Sequence, residues 1–159
     1  MKKLQLYIET SVWNFYFADD SPEKKEYTIQ FFNNVVSRGL CEVYISDTVI
    51  REILKAEENV KNNLFNLINR FDVTVLDITE EINELANIYL GECALPSRAI
   101  ADATHTAIAT VYGIDCLISW NLKHLANLNR IKKINSVNLK SGYRQIDIFT
   151  PMEVLYYGE

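Results

Sequence analysis

The stretch ADATHTAIATVYGIDCLISWNLKHLAN, residues 101–127, decides how the rest of the chain is read. Around its first half, Ile100, Ala103, Ala107, Ile108 and Val111 recur at the spacing that lays one apolar stripe along a helix from about Ala99 to Tyr112. Asp102 falls on the opposite side, in the first turn or two. Beyond Gly113 comes a short, continuously apolar run, Cys116 to Ser119, which reads as a strand buried on both faces. That strand passes directly into Ser119-Trp120-Asn121, so it ends on polar side chains.

Working outward, similar runs rich in Val, Ile, Leu and Tyr stand at Leu4 to Ile8, Glu42 to Ser46, Val73 to Leu76 and Ile146 to Phe149. Helical periodicity fills the intervals, for example Ile29, Phe32, Val35 and Val36 within a helix from about Glu23 to Arg38, and Ile82, Leu85, Ala86, Tyr89 and Leu90 further on. Short apolar strands alternating with helices imply a mostly parallel sheet covered on both sides, an α/β fold in three α/β/α layers. The 159 residues make one domain, 1–159, without an internal repeat or linker. Hydrophobic residues at 48% and charged residues at 23% exclude a disordered or low-complexity chain.

Charge and cysteine content narrow the function classes. Sixteen Lys and Arg against 21 Asp and Glu leave a net charge of −5, which excludes a binder of nucleic acid that relies on bulk positive charge. Cys41, Cys93 and Cys116 form no CxxC pair and have no histidine nearby, so neither a disulfide framework nor a structural zinc site is expected. A reducing, cytoplasmic setting fits. The apolar run after Lys2 and Lys3 ends at Glu9, too soon for a signal peptide, and no later run has the length of a membrane span.

In parallel α/β sheets the functional crevice lies beyond the carboxyl ends of the strands. Polar residues there are the candidates: Glu9-Thr10-Ser11 after the first strand, Ser46-Asp47 after the second with Glu52 about one helical turn on, Asp102 near the start of its helix, and Ser119 and Asn121 after the fourth. Glu9 is the most demanding of these, because an acid at the end of a buried strand requires a partner. Read alone, Glu52 is a surface glutamate facing Lys55, and Asp102 is an acid complementing a helix dipole.

Four segments in order, LYIETSVWNFY, ISDTVIREILKA, the 101–127 block and IDIFTPMEVL, resemble the successive blocks of a PIN domain, in particular the VapC-like toxin ribonucleases of bacterial toxin–antitoxin pairs. The resemblance spans nearly the whole chain. It implies an endoribonuclease dependent on Mg2+ or Mn2+, acting on RNA, partnered by an antitoxin protein and by a second copy of itself as a homodimer. Carried onto this sequence, it makes Glu9, Glu52 and Asp102 the metal ligands, adds Asn121 to the catalytic set, and makes Ser11 and Ser119 their supports. Glu9 stands where the family usually has Asp, and Asn121 where an Asp is common. These two departures define the alternative reading, a weakened or inactive PIN-like domain that binds nucleic acid or a protein.

Residues that follow these ligands offer further contacts. His105, His124, Lys123 and Arg130 are candidate substrate contacts, and Trp13, Phe15, Tyr16 and Phe17 are either base-stacking surfaces or core. From Asn121 onward six basic residues (Lys123, Arg130, Lys132, Lys133, Lys140, Arg144) face three acids (Asp147, Glu153, Glu159), a local net charge of +3. Such a strip either guides an RNA backbone to an acidic site or simply faces water.

Overall fold

A computed structural model describes residues 2–92 and 94–159. Met1 of the amino-terminal segment, and Cys93 with the reading made of it, lie outside the described residues. Five strands, β1 (Leu4–Ile8), β2 (Cys41–Ser46), β3 (Val73–Leu76), β4 (Cys116–Ile118) and β5 (Asp147–Phe149), form one sheet in the order β3-β2-β1-β4-β5. All four pairings are parallel, with Leu6 opposite both Val43 and Cys116. Strands buried on both faces need no polar alternation, and Leu6, Tyr7 and Ile8 in the central strand are each 0% exposed.

Right-handed crossovers then fix where the helices go. The chain runs outward from β1 to β3 through α1 (Thr10–Phe15), α2 (Pro22–Phe31), α3 (Asp47–Leu54) and α4 (Glu58–Asn69). It then crosses back to β4 through α5 (Glu80–Gly91) and α6 (Ile100–Val111), and reaches β5 through α7 (Leu128–Lys140). Reversing the direction of winding puts the later helices on the other face. The packing agrees: α1 touches α2, α3 and α4, while α5 touches α6 and α7. The two layers meet where α3 approaches α6.

Three local expectations differ. The helix expected over 23–38 is α-helical only to Phe31 and continues as a π-helical turn, Phe32–Val36. There Phe32 packs against Trp13, Tyr16, Phe31 and Phe71, with ring centroids 5.0–5.8 Å apart. The aromatics after Glu9 are core rather than stacking platforms. Trp13 is 0% exposed and donates its indole N–H to the Ile8 carbonyl at 3.1 Å, while Phe15, Tyr16 and Phe17 pack half-buried against the same core. Ile100, placed by periodicity on the apolar stripe of α6, is instead 62% exposed as the first residue of that helix, where it borders an open groove.

Candidate metal and substrate site

The winding reverses between β1 and β4, so their carboxyl ends splay apart from converging helices and leave a crevice. Glu9 closes β1, donating its backbone N–H to Ile118 of β4 at 3.2 Å. Its carboxylate caps α1 by accepting the Ser11 N–H at 3.1 Å. The other oxygen accepts the Ser11 hydroxyl and, at 2.7 Å, the Ser119 hydroxyl. Those serines are fixed in turn, Ser11 Oγ accepting from Trp120 N at 2.9 Å and Ser119 Oγ from Asn121 N at 2.9 Å. Burial of Glu9 pushes its pKa up, opposed by the charge of His105 and by the serine hydrogen bonds.

Glu52 enters from α3, where Ser46 caps the helix by accepting the Thr48 N–H. Its Oε1 accepts the Thr10 hydroxyl at 2.7 Å and His105 Nε2–H at 2.6 Å. Partial burial raises its pKa, but His105, Thr10 and the charge of Lys55 outweigh that and hold the carboxyl below the ordinary range. His105, from α6, is 1% exposed and lies at the middle of a buried chain. Its Nδ1 hydrogen-bonds Tyr7 Oη at 2.6 Å, and Tyr7 Oη hydrogen-bonds Ser46 Oγ at 2.7 Å. Burial works against a charged imidazole, yet the Glu52 hydrogen bond and the fields of Glu9, Glu52 and Asp102 together raise its pKa. The fields of all three acids thus reach one histidine, and Glu52 alone hydrogen-bonds it.

Asp102 lies in the first turn of α6, where its charge complements the helix dipole. Its Oδ2 accepts Asn121 Nδ2–H at 3.1 Å and His124 Nδ1–H at 3.2 Å. Asn121 also folds the segment after β4, its Oδ1 accepting the His124 N–H at 3.0 Å.

The residues expected to touch substrate part ways here. His105 has both ring nitrogens bonded inside the protein and presents no face to a ligand. His124 is turned to Asp102 with a side chain only 17% exposed, and its Nε2 is buried without a partner. Arg130 is half-buried and donates to the Ala94 carbonyl at 3.1 Å, which makes it a tie between α7 and the loop before α6. Lys123 remains exposed. Thr10, which holds Glu52, stood among the polar residues after the first strand without a role of its own, and Tyr7, which holds His105, was not among the candidates. A hydroxyl adjacent to Glu9 was a usable signal for Thr10, whereas Tyr7 read as strand core.

Hard carboxylate oxygens suit a hard divalent cation. Glu52 Oε2 and Asp102 Oδ1 accept no hydrogen bond from the described protein groups, and Glu9 Oε2 accepts only the one from Ser11. Among the described residues no group of three or more His, Cys, Asp or Glu side chains is placed to hold one ion, so Glu9, Glu52 and Asp102, expected together as ligands, are not brought together as a three-carboxylate site. Magnesium does not require one, since it commonly takes one or two carboxylates and keeps several waters.

With this geometry in hand, comparison with solved structures is informative. The VapBC2 complex of Rickettsia felis bound to a DNA fragment from its promoter contains a chain similar in fold, with TM-score 0.55 and 12% identity over 92% of this chain and 98% of that one. VapC20 of Mycobacterium tuberculosis, a toxin that cleaves the sarcin–ricin loop, matches with TM-score 0.54 and 17% identity over 70% of this chain and 86% of its own. The chain shares its fold with VapC toxins. No protein-family model matches the sequence, and a search of curated proteins found no match either. At such identities the likeness speaks for the sheet order and layers, which agree with the α/β/α expectation, and residue roles must stand on the site itself.

Proposed function

We propose that this protein is a divalent-metal-dependent endoribonuclease that hydrolyses RNA phosphodiester bonds as the toxin of a toxin–antitoxin pair. The observation that carries the reading is the hydrogen-bonded linkage of Glu9 to Asp102 through Ser119 and Asn121, and of Glu52 to Thr10 beside Glu9, at the switch point of a sheet whose fold VapC toxins share. Asp102, Glu52 and Glu9 would be the residues to hold Mg2+ or Mn2+. When bound, such an ion supplies a nucleophilic water near neutral pH and offsets charge on the phosphoryl oxygens.

The chain's own residues prepare that site. Ser11 and Ser119 hold the Glu9 carboxylate, Thr10 and His105 aim Glu52, and Asn121 and His124 aim Asp102. Glu52 is the candidate to orient the attacking water, because its side chain is partly exposed and its Oε2 accepts no hydrogen bond from the described protein groups. An antitoxin protein and a second copy of the chain are the proposed partners, and exposed Leu128 and Leu139 on α7 are apolar surface open to them. Among the described residues no helix is long and apolar enough to cross a membrane.

A labelled single-stranded RNA incubated with the purified protein tests the reading. Cleavage is expected with Mn2+ or Mg2+, loss of cleavage with excess chelator, and a drop of at least about 100-fold in Asp102→Asn, on the order expected for losing a catalytic group. Equal cleavage by Asp102→Asn and the wild type would overturn it.

A further inference from the structure

Beside Glu52 an open groove of about 540 Å³ runs between α3 and the start of α6. Arg51 and Lys55 line one side of it with Glu52, and Ile78, Ile100 and Thr104 line the other parts. Both cations are exposed, and among the described residues neither has a carboxylate within ion-pair distance. They sit at the carboxyl end of α3, where the helix dipole favours positive charge and needs no acidic partner. Four residues apart, they share a helix face with about 5–6 Å between their Cβ atoms, comparable with the step between neighbouring phosphates of a single strand.

The basic residues of the carboxyl-terminal strip are differently placed. Arg130 is tied to the Ala94 carbonyl, Arg144 to the Gly113 carbonyl, and Lys140 to Glu92. Lys133 borders a separate depression with Glu92 and Ser136, away from the acids of the site. Half of the strip read from sequence is therefore tied to other groups, and the cations that line the groove beside Glu52 belong to α3.

We propose that this groove is the track for single-stranded RNA, in which Arg51 and Lys55 bind consecutive backbone phosphates beside the scissile bond and exposed Ile100 supports a base or ribose face. The inference rests on the ribonuclease reading of the same site. Charge complementarity selects the occupant: two unpaired cations on a groove of mixed polar and apolar lining suit a phosphate backbone, with the apolar part left for a base or ribose.

The test measures binding rather than cleavage. A fluorescein-labelled RNA oligomer is titrated with the protein in chelator, which prevents hydrolysis, at several salt concentrations. Arg51→Ala/Lys55→Ala is compared with the wild type, with Lys132→Ala/Lys133→Ala, and with Lys2→Ala/Lys3→Ala, which removes the same charge ahead of β1 at the opposite sheet edge. Two lost phosphate contacts flatten the log–log salt slope by about 1.4 and weaken binding at low salt at least about tenfold. The Lys2/Lys3 variant is expected to keep the wild-type slope. A full slope in Arg51→Ala/Lys55→Ala, or a loss found only in Lys132→Ala/Lys133→Ala, would overturn the track while leaving RNA as substrate. Absence of salt-dependent RNA binding by the wild type would overturn the ribonuclease reading and the track together. Circular dichroism on each variant confirms that a lost slope is not lost fold.

Discussion

Glu52 owes its position to a side chain that no substrate reaches. The buried series Ser46, Tyr7, His105, Glu52 leaves the Tyr7 hydroxyl protonated, since burial pushes its pKa far up. Tyr7→Phe keeps the ring but strips His105 Nδ1 of its partner, and stability in urea should fall by about 1–3 kcal/mol, the range for a buried polar group left unsatisfied. Cleavage rate should fall with it while RNA affinity stays unchanged; an unaltered unfolding midpoint would contradict the relay. Asn121 invites the opposite experiment. Asn121→Asp replaces an amide donor by a second carboxylate facing Asp102, so like charges meet without an ion. A loss of about 1 kcal/mol, or a thermal midpoint about 2–4 °C lower in chelator, is expected, with recovery on adding Mn2+. No dependence of the midpoint on the metal would contradict it. Glu9 was legible because an acid at the end of a buried strand demands a partner, whereas Asp102 alone read as an acid complementing a helix dipole and entered the set only through the resemblance. Tyr7 and His105 were less so, because their partners come from other elements: β1, α3 and α6 meet only in the folded chain.

Elements were legible in proportion to their burial. The central strands read clearly, since a parallel sheet covered on both faces leaves continuous apolar runs, and the half-exposed edge strands β3 and β5 read from their Val, Leu, Ile and Phe content. The short α1 did not, because its start depends on Glu9 turning back to cap it, a contact that periodicity does not encode. Nor did the π-helical turn, which seats Phe31 and Phe32 together in the core at the end of α2. Gly113 lies in the α6-to-β4 connection that positions Asp102 against Ser119 and Asn121. Its φ of 68° suits glycine, and a Cβ there would stand 3.0 Å from Arg144 Nη2, which itself donates to the Gly113 carbonyl. Gly113→Ala should therefore lower stability in urea by about 1–2 kcal/mol through the strained backbone. A neutral effect would mean that the turn relaxes into another conformation.

Across the whole molecule, the net charge of −5 conceals a division of labour. Glu9 and Asn121 follow β1 and β4, where the winding reverses, with Asp102 hydrogen-bonded to Asn121, while Arg130 ties α7 to the loop before α6 and, among the described residues, Arg51 and Lys55 stand without an ion pair in the groove beside Glu52. Sequence composition excluded a uniformly basic binder, yet it pointed to the carboxyl-terminal strip; only the folded arrangement separates occupied cations from available ones. The central claim is that Glu9, Glu52 and Asp102 form a divalent-ion site, and titration of Mn2+ into the protein by calorimetry addresses it most directly. The wild type should bind Mn2+ with a saturable heat, and Asp102→Asn and Glu52→Gln should each weaken that binding at least about tenfold, the equivalent of about 1.4 kcal/mol. Identical titrations for the wild type and both variants would contradict the account and favour a metal-free domain that binds nucleic acid or a protein on the same fold.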